Sequence, residues 1–282
     1  MTTNIEQFTS AGLDSIWWGK NNSTGYVHGT TGSIANGSDA AMARLLGAQS
    51  FGVQLQQPQR VNITGDDGVQ SIFLFEPQEL PSGDLVLGVF DVNLVAQSQG
   101  TNVYADGDHD VSVLQPEDFD FAELSLILNA QSKSRASGSS GEAGYMVMHL
   151  PKVQCIPMGP AGLANIQATN FTHQLIVSKS SLWAWGAALS TLNEGTTSAA
   201  IWGPVYSENR VTCHTFVGDG TTTNFTLGQT PAAADGSKIK VWKDGTALVY
   251  TTNYSVSGTT LTFQAGSIPA AGEIVVVRYE YT

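Results

Sequence analysis

Residues 115–134, QPEDFDFAELSLILNAQSKS, constrain this chain most, because they are the one long stretch whose apolar spacing suits a helix. Pro116 fits a first helical turn, where its missing N–H costs nothing. Glu117, Asp118 and Asp120 put negative charge at the positive end of a helix dipole, and Lys133 and Arg135 sit near the other end. Phe121, Leu124, Ile127 and Leu128 make an apolar stripe at helical spacing, widened by Phe119, Ala122 and Leu126. The spacing predicts a helix over 115–134, covered on more than one side. Everything around it reads as strand and turn. The expected fold is mainly β, an antiparallel β-sandwich or barrel with one flanking α-helix.

Abundant Gly, Thr, Ser and Asn suit short strands joined by tight turns. The 282 residues suffice for one large β domain and a small one. The start, MTTNIEQFTSAGLD, has no basic cluster followed by an apolar run, and no apolar stretch reaches the length of a membrane span. The expectation is a soluble chain made in a cytoplasm. Cys155 and Cys213 have no metal-type spacing and read as two packed thiols, a disulfide being the alternative. The net charge of −12 is uneven: residues 1–212 hold 19 acidic against 8 basic side chains, and the remainder 5 against 4. An acidic body argues against wrapping or reading nucleic acid, which needs clustered Lys and Arg. It suits DNA passing by without adsorbing.

Residues 1–36 are polar and glycine-rich around Ile16, Trp17 and Trp18, which read as buried, an assembly contact being the alternative. Ser38 caps a short helix expected over 39–46 and ended by Gly47. Strands are expected at 52–56, 60–64, 71–75 and 84–96, and a loop at 97–110. After the predicted helix, Ala136, Ser137, Gly138, Ser139, Ser140, Gly141, Glu142, Ala143 and Gly144 carry no apolar anchor and read as a mobile loop. Strands follow at 145–156 and 166–177, then a short helical turn within 182–192. From Cys213 the composition changes to a series of strands with hairpin turns at Asp244-Gly245 and Ser257-Gly258. Ile239 and Val241 point inward, leaving Lys238 and Lys240 to solvent. In the last strand Val275, Val277, Tyr279 and Tyr281 share one face, Arg278 and Glu280 the other. The expected division is a body of residues 1–212 and a small Ig-like β-sandwich, residues 213–282, that folds by itself.

Nothing in the sequence requires an enzyme or a cofactor. The five histidines are scattered, with no HxxxH or HxH pair. Asp106, Asp108 and Asp110 alternate beside Gly107, but the further oxygen ligands of a calcium loop are missing. There is no GxSxG, P-loop, CxxC or GxGxxG after a strand.

The order of the segments is more informative than any one of them. The runs RVNITGDDG at 60–68, IFLFE at 72–76, GVFD at 88–91 and LQPED at 114–118 precede the predicted helix. After it come GY at 144–145, LPK at 150–152, FTHQ at 171–174 and WG at 185–186. This succession, over most of 40–212, resembles the major tail tube proteins of long-tailed, siphovirus-type bacteriophages. Residues 214–280 resemble the small β-domains that decorate phage tail and fibre proteins.

The resemblance implies a structural virion protein of the phage tail, with two packed antiparallel sheets, a flanking helix and long hairpins lent to a shared barrel. It implies homo-hexameric rings stacked into a tube, or a pseudo-hexamer of trimers. The implied partners are the tail terminator, baseplate and tape-measure proteins, with transient passage of DNA and no membrane insertion. Glu76, Asp84 and Asp91 are then candidate lumen-facing acids, ordinary solvent exposure being the alternative. Residues 136–144 become a candidate inter-ring loop. A tail fibre or receptor-binding protein is the other reading, and it predicts trimers.

Overall fold

Residues 123–135 alternate with a period of two as well as with helical spacing: Leu124, Leu126, Leu128 and Ala130 against Ser125, Ile127 and Asn129. Tertiary pairing decides between the two. The computed structural model describes residues 7–54, 59–65, 68–74, 82–100, 103–106, 109–112, 121–135, 143–160, 170–183, 187–188 and 202–282. There the stretch is a 13-residue strand, hydrogen-bonded on both sides. This corrects the helix expected over 115–134. A strand buried on both faces presents a near-continuous apolar run, which periodicity alone cannot tell from a buried helix. Residues 115–120 lie outside the described residues.

In chain order the elements are β1 (Gln7–Lys20), β2 (Asp39–Ala41), β3 (Ala43–Leu45), β4 (Ala48–Gln54), β5 (Gln59–Gly65), β6 (Gly68–Leu74) and β7 (Ser82–Leu87). Then come α1 (Val92–Ser98), β8 (Val103–Asp106), β9 (His109–Ser112), β10 (Glu123–Arg135), β11 (Ala143–Pro160), β12 (Phe171–Val177), β13 (Leu182–Trp183) and β14 (Ala187–Ala188). The rest are β15 (Trp202–Ser207), β16 (Arg210–Val217), β17 (Asn224–Thr226), β18 (Ile239–Lys243), β19 (Thr246–Ala247), β20 (Tyr254–Ser257), β21 (Thr260–Phe263) and β22 (Ile274–Tyr281). The protein is mainly β and antiparallel, with one helix among the described residues. That helix stands where a strand was expected. The strand over 84–96 ends at Leu87, and Asp91 starts α1. The helix expected over 39–46 is two short strands instead, because β2 pairs with β16 and β3 with β1, and such partners override propensity.

Eight strands form one sheet in the order β3-β1-β10-β11-β12-β7-β4, with β15 on β11. One edge of the long β11 is shared, its first half paired with β15 and its second with β12. β3 and β4 end this order on opposite sides, yet only residues 46–47 join them. The sheet therefore curls into a barrel-like shape whose end strands meet at that corner without pairing to each other. Ile16, Trp18, Leu85, Leu126, Leu150 and Leu175 fill the interior, and Leu94 of α1 is buried among them.

The outer face of β1, β10 and β11 carries Trp17, Ile127, Asn129 and Val147, and a second sheet, β19-β18-β22-β16-β2, covers it. That sheet packs in turn on a third, β17-β21-β20, through ring contacts such as Phe216–Phe225 at 4.7 Å. Trp17 and Trp18 are both buried, on opposite faces of β1. β16 and β22 form a middle layer with both faces covered. The boundary expected at Cys213 falls inside β16, and Trp17, Ile127 and Val147 share one core with the last 70 residues. Lys238, expected in solvent, is held by Glu208 at 2.7 Å and by the buried Glu280 at 3.0 Å.

Candidate assembly surface

Among the described residues the barrel leaves main-chain edges without partners. β1 pairs along its length with β10, but on its other side it meets β3 only at Ile16, Trp17 and Trp18. Residues 7–15 thus present an outer edge that pairs with no described strand. β4 pairs with β7 on one side and with no described strand on the other. The hairpin β5–β6 pairs in register from Gln59↔Leu74 to Gly65↔Gly68 and joins no other sheet among the described residues. Unpaired N–H and C=O rows invite another chain, and a lone two-stranded hairpin is marginal in water.

The expected lumen acids have separate fates. Asp84 is exposed at the middle of β7, opposite Gln174 of β12 and Gly52 of β4. It is the one charged residue in β12, β7 and β4, on the face turned away from the buried Leu85 and Leu87. Asp91 caps α1: its Oδ1 accepts a hydrogen bond from the Leu94 N–H at 2.9 Å. An aspartate at that position satisfies an otherwise orphan donor, so its charge has a local structural use. Glu76 lies outside the described residues. Of the expected inter-ring loop, Ala143 and Gly144 belong to β11 and pair with Lys133 and Ser132, while 136–142 lie outside the described residues.

Between barrel and second sheet the polar groups are spent on holding layers together. Asn129, fully buried, accepts from the Val211 N–H at 2.8 Å and donates to the Val211 carbonyl at 3.1 Å. Arg210 makes a two-pronged bond to Asp14, at 2.6 and 3.0 Å, and lies over the Tyr145 ring. That guanidinium holds the Asp14 carboxyl below its ordinary range. Burial, with the nearby Arg278 charge, pulls His149 down to about 3. Burial pulls His214 down to about 4; its Nδ1 accepts from the Gly228 N–H at 2.9 Å. Both cysteines are free and buried, and burial pushes each thiol up to about 12, so neither is a nucleophile at neutral pH. Among the described residues no group of three or more His, Cys, Asp or Glu is placed to hold a metal ion.

Sequence reasoning passed over one surface. Leu46, Val89, Phe90 and Met158 are four of the six large apolar side chains exposed among the described residues, and all lie at the end of the barrel that α1 caps. Single apolar residues beside Gly47 and Gly88 gave no periodic signal. Compared with known proteins, the chain matches no family model and no curated sequence.

Proposed function

We propose that this chain is a structural virion protein whose copies close into rings and stack into the tail tube of a long-tailed bacteriophage, the channel for genome delivery. The observation that carries the reading is the set of β edges that pair with no described strand: residues 7–15 of β1, the outer side of β4, and the hairpin β5–β6. A stable monomer blunts or covers such edges, whereas a ring closes them against the next copy. The open face of β12-β7-β4, with Asp84 as its charge, then lines the channel and repels phosphate. In this reading the connection between β10 and β11 supplies the contact with the neighbouring ring. Ends of the tube meet the terminator and baseplate proteins, and the tape-measure protein occupies the channel before DNA.

Negative-stain microscopy and sedimentation velocity of the concentrated protein test this. Rings or tubes with a central hole are expected. Slender trimers would favour a fibre protein, and a monomer at every concentration and salt tried would remove the reading.

A further inference from the structure

We propose that Leu46, Val89, Phe90 and Met158 form a preorganised docking face for a second copy of this chain, used for stacking rather than for ring closure. Leu46 sits on the β3–β4 corner, Val89 and Phe90 link β7 to α1, and Met158 lies near the end of β11. Neighbouring ends converge there: Phe171 pairs with Leu87 and with Pro160, and Leu87 also pairs with Ala48.

The face is held in place before any partner arrives. The Gly88 N–H donates to the Gly47 carbonyl at 2.7 Å, tying the corner to the link. Gly47 has φ +69, and a Cβ there would meet Val89 at 2.8 Å, so only glycine lets the two turns close together. The Phe90 ring rests on Phe171 at 5.1 Å, and the Asp91 cap fixes the start of α1 just beyond. The backbone of the face and Phe90 have little ordering entropy left to lose on binding, which leaves the exposed Leu46 and Met158 side chains as the groups to be ordered.

Charge selects the occupant. Copies of a chain at −12 repel each other over most of their surface. They can approach where charge is absent. Between residues 45 and 52, 85 and 90, and 154 and 160 there is no Asp, Glu, Lys or Arg; charge begins at the border, with Arg44, Asp84 and Asp91 and with Asp106 and Asp110 on the hairpin beside α1. Asp91, next in line, is engaged with the backbone of α1. The face is also continuous with the edge of β4 that pairs with no described strand and begins at Ala48, so one copy can meet both. Direction follows from the sheet. Edge contacts extend it across its strands and close a ring, whereas contacts through strand ends extend it along them. The stacking role rests on the ring reading above; the contact between copies does not.

The test compares wild type with Leu46→Ser/Met158→Gln, two exposed positions outside the barrel core, and with Val89→Ser as a second variant. Far-UV circular dichroism and the urea midpoint confirm folding. The expected result is that wild type stacks while the variants stop at single rings, or need at least about tenfold more protein to stack. In parallel, Met158 should be oxidised by peroxide in the dilute subunit and protected in the assembled protein. Variant tubes of normal length at the normal concentration would overturn the proposal. If wild type forms no rings but shows a concentration-dependent dimer that the variants lose, the docking face stands and the tube reading fails. Monomers throughout, with Met158 equally reactive at all concentrations, would remove both.

Discussion

Asn129 shows how one side chain joins two layers. Its amide saturates both backbone groups of Val211 where β16 starts across β10, and it donates more weakly to the Ser15 hydroxyl at 3.4 Å. Replacing it by Leu leaves a buried N–H and C=O unpaired, so Asn129→Leu should cost about 2–4 kcal/mol, read as a lower urea midpoint. A loss below about 0.5 kcal/mol would mean that water replaces the amide. His149 and His214 act in the opposite sense, through the unfolded chain. Folded, they titrate at about 3 and about 4; unfolded, near the ordinary 6.5. Between those values the unfolded chain binds protons that the folded chain excludes. Stability is therefore complete above the unfolded value and falls as pH drops toward 4, by roughly 1 kcal/mol per pH unit for each histidine. Urea midpoints at about pH 7 and about pH 5 measure this slope, to which His28 and His173, also lowered by burial, add in the same direction, and His214→Gln should remove one histidine's share. Neither role was legible beforehand, since Asn129 and His149 gain meaning only from residues 82 and more positions away.

At the scale of elements, the β class, the hairpin turns and the strand at Phe171–Val177 could be read because they rest on local patterns. The alternation of Phe171, His173, Leu175 and Val177 carries into the burial of that strand. Residues 115–134 could not be read, because Leu124 and Leu128 fit both periods and only pairing with β1 and β11 chooses. α1 was missed for a related reason: seven residues are too few for a helical stripe. Its start was nevertheless written in Asp91. Asp91→Ala should destabilise by about 1 kcal/mol, and Asp91→Asn by much less, since asparagine caps as well. Thermal unfolding separates the two, and equal losses would show that charge rather than capping matters there. On the proposed tube reading, Asp91→Asn also tests the lumen at little cost in stability. If the Asp91 carboxylate faces the channel, DNA should bind variant tubes more tightly at low salt.

For the whole molecule, the middle layer changes what a boundary means. The shift in composition near Cys213 is real in the sequence, but β16 crosses it, and the face of β16 and β22 turned to the barrel completes a core begun by Trp17, Ile127 and Val147. The two parts are not equivalent. Residues 210–282 hold both remaining sheets, joined by the Phe216, Phe225 and Phe263 rings and by the Tyr254 hydroxyl bonded to the Ile239 carbonyl at 3.0 Å. They lose the three-residue β2, a barrel that covers one face, and the bonds that Asp14, Trp17, Asn129 and Glu208 make to Arg210, Tyr281, Val211 and Lys238. This fragment should fold alone, with a stability of about 3–5 kcal/mol, the range one small core supplies. Residues 1–209 keep the barrel interior but expose Trp17, Ile127 and Val147, and the Trp17 N–H loses its bond to the Tyr281 hydroxyl. That fragment should aggregate at concentrations where the whole chain is soluble. The body would then depend on the smaller part, and truncation could not isolate the barrel. Adding 210–282 in trans should restore solubility, because the interface is apolar and preformed on the folded partner. Light scattering of 1–209 with and without the partner decides the matter: a soluble 1–209 monomer, or a random-coil spectrum for 210–282, would refute this account of how the layers depend on each other.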